Sequence, residues 1–144
     1  MLSQVNKEEE KEMHEATRAY YQKLIKTGFE HIGKIDNADI FLETFGEISP
    51  VCGNPDDFLY LYIQVDDNLI TDIKYQCITD PITNVSLEIL CTLMKGKTLD
   101  ETALIKDEAF PQFLGCEDEM LQEKAKFLLS LLNEGIIRYK TQRA

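Results

Sequence analysis

Two neighbouring segments of the chain alternate between the two faces of an extended strand, and this period of two predicts a β-hairpin. In residues 58–65 one face is aliphatic and the other is mainly aromatic. A second alternating segment covers residues 69–77, and the intervening Asp-Asp-Asn at 66–68 is typical of a tight turn. The same alternation puts Cys77 on the face of Tyr75, which we expect to be the core side.

A period of 3.6 residues predicts helices before and after the hairpin. Apolar residues recur on one face of residues 8–27, and Gly28 is a suitable place for that helix to end. After the hairpin, Asp80 is a favourable N-cap and Pro81 suits the first helical position. The apolar pattern then predicts a helix that continues to Met94 and is covered on two sides.

The remaining elements complete an α+β architecture. A strand is predicted over residues 40–48, a short helix begins at Thr98 with a capping box to Glu101, and a final helix covers about residues 117–139. We therefore predict a single domain over residues 1–144, in which a small antiparallel three-stranded sheet carries helices packed on one face.

The charge balance narrows the classes of partner. With a formal net charge of −11, the chain lacks the basic face that a nucleic-acid binder needs, and anionic membrane surfaces are disfavoured for the same reason. No apolar run approaches the roughly 20 residues of a membrane span, and the polar, acidic N-terminus differs from a signal peptide. We expect no nucleic-acid or membrane partner and a cytoplasmic location. Nothing in the sequence specifies an oligomeric state.

Four cysteines are the candidate chemistry of the chain. Without a Cys-x-x-Cys pair, thiols in a cytoplasmic protein are more often free, metal-binding or catalytic than paired in disulfides. Cys52 lies in a turn-forming segment and should be the most accessible thiol, whereas Cys91 falls in an apolar helix and is predicted to be core. Cys116 precedes a helix whose dipole lowers a thiol pKa, but its acidic neighbours act in the opposite direction.

Three sequence pieces resemble the iron–sulfur cluster assembly scaffold family of the NifU N-terminal or IscU type. KLIKTGFEHIGKIDNAD, at residues 23–39, is similar to that family's first helix and the loop after it. SPVCG, at residues 49–53, is similar to its first cysteine loop. VDDNLITDIKY (65–75) and SLEILCTLMKGKTLDE (86–101) are similar to its second and third strands and to the helix that ends in Lys-Gly-Lys. The resemblance covers nearly the whole chain and implies the IscU/NifU-like α+β fold.

The resemblance implies a scaffold rather than an enzyme. Members of that family accept sulfur from a cysteine desulfurase, bind iron, build a [2Fe–2S] cluster and pass it to recipient apo-proteins. They use three cysteines and a nearby aspartate, because thiolates accept sulfur and bind iron while a harder carboxylate keeps a cluster labile. In agreement, the sequence has no Ser-His-Asp or Cys-His arrangement and no glycine-rich phosphate loop.

The family's motifs match the ligand positions of this chain unevenly. Cys52 matches the first cysteine, and the strand register puts Asp57 at the aspartate. Counting back from the Lys-Gly-Lys stop puts Asp80 at the second cysteine, with Cys77 three residues earlier. Counting back from the end of the last helix puts the third cysteine near Lys124.

The candidate site therefore has two descriptions. A cluster would use Cys52, Cys77 and Cys116, whereas a single metal ion would use the set Cys52, Asp57, Cys77 and Asp80. A carboxylate in place of a thiolate favours one Fe²⁺ or Zn²⁺ ion over a stable [2Fe–2S] cluster. Both Cys77 and Asp80 also have structural explanations, as a core residue and as an N-cap.

Two other functions stay open. A degenerate member of the family would keep the surface that docks a desulfurase or another assembly partner while having lost the cluster. The ligand positions that fall out of register support this alternative. A mononuclear zinc or iron protein would instead use Cys52 together with carboxylates.

Overall fold

The computed structural model describes residues 14–45, 58–78 and 80–143. The helices and strands of these residues are α1 (Glu15–Thr27), β1 (Ile40–Phe45), β2 (Phe58–Asp66), β3 (Leu69–Ile78), α2 (Pro81–Met94), α3 (Leu99–Thr102), α4 (Ala109–Leu114) and α5 (Glu119–Arg143). Within these ranges no helix combines the length and the apolar character that crossing a membrane requires.

The sheet is antiparallel, with its strands in the order β1-β2-β3. Asp67 and Asn68 join β2 to β3 with φ values of 49° and 70°, which is the backbone of a type I′ hairpin turn. A register shift between Gln64 and Val65 interrupts the regular pairing beside this turn. The inward positions of β2 are buried as the alternation predicts: Leu59, Leu61 and Ile63.

Helix α2 is enclosed by protein on nearly every side, and twelve of its 14 residues are buried. Asp80 caps its N-terminus, where Oδ1 accepts a hydrogen bond from the Thr83 backbone N–H at 2.8 Å. Pro81 occupies the first turn, where its missing N–H costs nothing. The predicted helix, its cap and the core position of Cys91 are therefore confirmed.

Helix α5 approaches the edge strand β1 at a position that has no side chain. A Cβ atom added to Gly135 would lie 2.2 Å from Cδ2 and 3.0 Å from Cδ1 of Leu42. Leu42 is 2% exposed, so the surrounding core limits how far it could move away. The glycine therefore sets the distance between this helix and the sheet.

The predicted α+β architecture is confirmed, with one three-stranded antiparallel sheet and helices on its inner face. The outer ends of two predicted elements, residues 8–13 of the first helix and residues 46–48 of the first strand, lie outside the described residues. Helix α4 was not predicted, because its six residues are too few to establish a period.

The last helix was predicted over residues 117–139 but runs from Glu119 to Arg143. It begins later because the Asp118 carboxylate accepts the Leu121 backbone N–H at 3.1 Å and so acts as a cap. It ends later because helix formation does not require an apolar face, and its exposed last turn continues beyond the buried stripe.

Replacing Gly135 by alanine should lower the free energy of unfolding by about 1–3 kcal/mol, because the added methyl group overpacks the contact with Leu42. This loss should exceed the gain of up to about 1 kcal/mol that alanine gives in a helix interior. Urea denaturation followed by circular dichroism measures the difference.

The matched control is Ser130→Ala, an exposed position of the same helix. It gains helix propensity without a new contact and should leave the protein equally or slightly more stable. A Gly135→Ala protein as stable as this control would contradict the close-packing argument.

Candidate functional site

The candidate site lies at one end of the sheet, where all three strands have a terminus. Phe45 at the end of β1 pairs with Phe58 at the start of β2, and Phe58 pairs with Ile78 at the end of β3. The cap of α2, Asp80, follows directly. Both described ends of the connection 46–57 therefore lie at this end of the sheet.

Two of the predicted ligands belong to that connection. Cys52 and Asp57 lie outside the described residues, so their roles stay predictions.

Asp80 forms a nearly buried ion pair with Lys124 of α5. Lys124 Nζ donates to Asp80 Oδ2 at 2.9 Å, and the side chains are 2% and 9% exposed for the lysine and the aspartate. The other carboxylate oxygen, Oδ1, accepts from the Thr83 hydroxyl at 3.0 Å as well as from the Thr83 N–H. Both oxygens of Asp80 thus have partners within the protein.

This pair joins the two positions at which the family resemblance expects the second and third cysteines. The positions are 44 residues apart in sequence, yet the fold brings their side chains into direct contact. By the register of the family motifs, a carboxylate then stands at the family's second cysteine and an ammonium group stands near its third.

Cys77 lies in the core. Its side chain is 1% exposed, and Sγ donates to Asn84 Oδ1 in α2 at 2.8 Å. The core position expected from strand alternation is therefore confirmed. Metal binding by Cys77 stays a prediction, and it would require the thiol to leave this hydrogen bond.

Cys116 lies between α4 and α5, beside helix α1. Burial raises the pKa of its thiol, the Asp118 carboxylate raises it further, and a hydrogen bond with Thr17 lowers it. The balance is upward, so burial and the Asp118 carboxylate outweigh the hydrogen bond with Thr17 in setting this pKa. Its role as a cluster ligand stays a prediction.

Among residues 14–45, 58–78 and 80–143, no group of three or more histidine, cysteine, aspartate or glutamate side chains is arranged to hold a metal ion. The described donors Cys77 and Asp80 are engaged with Asn84 and Lys124. The described part of the site therefore does not fit a [2Fe–2S] cluster held by three thiolates.

Lys124 was located by sequence register without a role of its own. A usable signal was present, because Lys124 falls within the apolar stripe of the last helix, between Leu121 and Leu128. A lysine on the buried side of a helix needs a carboxylate partner, since an unpaired buried charge is costly.

A second buried polar cluster links α2 to the sheet and to the loop after α1. Glu88 Oε2 accepts from the Tyr75 hydroxyl at 2.7 Å and from the His31 backbone N–H at 3.2 Å. Its Oε1 lies 3.0 Å from His31 Nδ1. All three residues are at most 3% exposed.

The cluster holds the family-like loop against the edge of the sheet. The Tyr75 N–H donates to the His31 carbonyl at 2.9 Å, and the Gly33 N–H donates to the Tyr75 carbonyl at 2.9 Å. Burial raises the pKa of the Tyr75 hydroxyl above its usual range, and Glu88 raises it further. The phenol therefore stays protonated and keeps donating, which is a structural role.

Comparison with solved structures first defines the class of fold. The structure superposes on a protein assigned to iron–sulfur cluster assembly in the SUF system of Fervidobacterium islandicum with a TM-score of 0.59 at 22% identity, covering 85% of this chain and 95% of that one. It also superposes on the N-terminal part of a NifU-like protein from Brucella abortus with a TM-score of 0.59 at 14% identity, covering 91% and 95% of the two chains. At these identities the likeness concerns the fold.

Sequence comparison then gives the family. Residues 19–144 match the model of the NifU-like N terminal domain, and the chain belongs to that family. It is 31% identical over 109 residues to the iron–sulfur cluster assembly scaffold proteins IscU 1 and IscU 2 of Archaeoglobus fulgidus, covering 76% of this chain and 67% of each relative. It is 28% identical over 136 residues to a mitochondrial iron–sulfur cluster assembly protein of Debaryomyces hansenii, covering 88% and 71%. The family expected from the sequence is thereby confirmed.

Replacing Glu88 by alanine should lower the free energy of unfolding by about 3 kcal/mol or more, because it leaves the Tyr75 hydroxyl and the His31 N–H buried without an acceptor. Glu88→Gln should recover part of this loss, since one amide oxygen remains as acceptor. Chemical denaturation measures both values.

The matched control is Glu134→Ala on the exposed face of α5, which should change stability by no more than about 0.5 kcal/mol. If Glu88→Ala were as mild as this control, the cluster would not support the core.

The raised pKa of Cys116 predicts slow alkylation near neutral pH, with a rate that increases as pH rises toward that pKa. Asp118→Asn keeps an oxygen that can cap α5 but removes the charge, so labelling of Cys116 should become faster. Iodoacetamide labelling in a Cys52→Ser background, read by mass spectrometry of the Cys116 peptide, measures the rate. Glu119→Gln is the control at a neighbouring carboxylate, and an equal acceleration there would contradict a specific effect of Asp118.

Proposed function

We propose that the chain serves iron–sulfur cluster assembly as a scaffold protein, binding iron or a labile [2Fe–2S] cluster as its cargo for transfer to recipient proteins. Membership of the NifU-like N terminal domain family carries this proposal, and the scaffold relatives support it. Cys52 is the proposed thiolate ligand, and Asp57 and Asp80 are the proposed carboxylates beside it.

The proposed ligands are one thiolate and two carboxylates, rather than the three thiolates of the family. One thiolate with hard oxygen ligands suits a single Fe²⁺ or Zn²⁺ ion, or a cluster that is held weakly and released readily. The location of Asp80 at the end of the sheet, next to both ends of the connection 46–57, supports its place in this set. Cys77 and Cys116 are kept as secondary candidates, because each has a local structural role.

The Asp80–Lys124 ion pair favours a second candidate function. A member of the family that no longer assembles a cluster could keep the fold and its docking surface, as an interaction module for assembly proteins. Asp80 and Lys124 pair with each other instead of binding metal. This is the arrangement expected in a family member that no longer assembles a cluster.

The partners follow from the proposed function. A cysteine desulfurase would supply sulfur and perform the enzymatic step, and recipient apo-proteins would accept the cargo. A cytoplasmic location stays a prediction, and one relative is described as mitochondrial.

Anaerobic reconstitution with Fe²⁺, sulfide and a cysteine desulfurase tests the proposal. We expect the wild-type chain to bind iron and to show thiolate-to-iron absorption in the visible spectrum. After gel filtration it should retain less than one [2Fe–2S] cluster per chain. Cys52→Ser should abolish both signals, because it removes the proposed thiolate ligand.

Cys116→Ser makes the same chemical change at a partly accessible thiol and tests this secondary candidate. It should lower bound iron less than Cys52→Ser does, and an equal loss would make Cys116 a ligand as well. A chain that binds the desulfurase but takes up no iron under any condition would support the interaction module and exclude the scaffold.

A further inference from the structure

By the sequence register, the Lys124 ammonium lies near the position of the family's third cysteine, and it is bonded to the residue at the second. It lies 2.9 Å from Asp80 Oδ2 and is 2% exposed, so water does not screen the pair as it would on the surface. An ammonium group only donates hydrogen bonds and has no lone pair for a metal. Lys124 therefore cannot act as a metal ligand itself, and its hydrogen bond also engages Asp80, the neighbouring candidate ligand.

The pair is separate from the other charges of α5 in the described residues. Glu123 and Lys126, its charged neighbours on the helix, pair with each other at 3.4 Å with side chains more than half exposed. Among the described residues, Lys124 Nζ donates its hydrogen bond to Asp80. Within the described part of the chain, the buried positive charge that meets an ion approaching Asp80 belongs to Lys124.

We propose that Lys124 is a built-in competitor of metal at this site: it holds Asp80 in the resting protein and thereby limits the affinity for the cargo. The proposal rests on the function proposed above and concerns the regulation of the same site. A bound ion gains Asp80 as a ligand only by displacing a group that already neutralises it. The site is consequently tuned toward weak binding and ready release.

Zn²⁺ is the probe for this proposal, because it is redox-inert and accepts both thiolate and carboxylate ligands. Lys124→Gln removes the charge but keeps an N–H that can donate to Asp80. Titration calorimetry should show Zn²⁺ binding about tenfold or more tighter than in the wild type, because Asp80 is then available to the ion. The Zn²⁺-dependent rise in melting temperature should increase in parallel.

Two controls restrict the interpretation to this charge and this carboxylate. Lys126→Gln makes the same change two residues along the helix at an exposed position and should leave Zn²⁺ affinity unchanged. The double variant Asp80→Asn/Lys124→Gln should lose the gain, since its tighter binding depends on the Asp80 carboxylate.

A second measurement does not depend on the folding of Lys124 variants. Asp80→Asn alone retains a good N-cap, and it should weaken Zn²⁺ binding by less than about threefold, because Lys124 already withholds the carboxylate. A tenfold weakening would overturn the proposal, and so would equal Zn²⁺ affinities for Lys124→Gln and the wild type.

The outcomes separate the two proposals. If wild-type binding is lost on Cys52→Ser but is insensitive to Lys124→Gln, the scaffold function stands and the competitor role fails. If Lys124→Gln binds Zn²⁺ and the wild type does not, the competitor role stands, and iron uptake in the reconstitution decides between the scaffold and the interaction module. If neither protein binds Zn²⁺, the competitor role fails, and the reconstitution tests the scaffold function separately.

Discussion

The enclosure of helix α2 is the constraint on which the rest of the structure depends. Twelve of its 14 residues are buried, and several of these carry polar side chains. A polar group removed from water must find a partner inside the protein or lose free energy. Several polar groups of α2 and its cap find partners in other elements: Asn84 accepts from Cys77 of β3, Glu88 accepts from Tyr75 of β3 and contacts His31 of the loop after α1, and the capping residue Asp80 pairs with Lys124 of α5.

The same constraint accounts for the chemistry of the candidate site. The Asp80 carboxylate is 9% exposed, so it must be neutralised by a metal ion or by a cation of the protein. If three thiolates formed the site, the bound iron or cluster would connect the start of α2 to α5. Here Lys124 makes that connection, so the contact between α2 and α5 does not depend on bound metal.

Much of the fold could be predicted because its signals are local. The alternation of residues 58–65 and 69–77 specifies the hairpin, and the cap at Asp80 specifies where α2 begins. The ion pair could not be derived in this way, because its partners are 44 residues apart and only the tertiary packing brings them together. Register against the family located Lys124, and the apolar stripe around it indicated burial, but neither identified Asp80 as its partner. Cys116 shows a similar limit, since its pKa depends on burial and on the neighbouring Asp118.

A buried ion pair is a weak source of stability by itself, because the cost of desolvating two charges offsets their attraction. Its contribution here is better sought in specificity. Hydrophobic residues at both positions would join α2 to α5 equally well, but they would remove the carboxylate from the site. A lysine keeps the carboxylate in place and paired within the protein. Under the proposed function, the pairing of Asp80 with Lys124 would close the site when it is empty and still retain an oxygen ligand for an incoming ion.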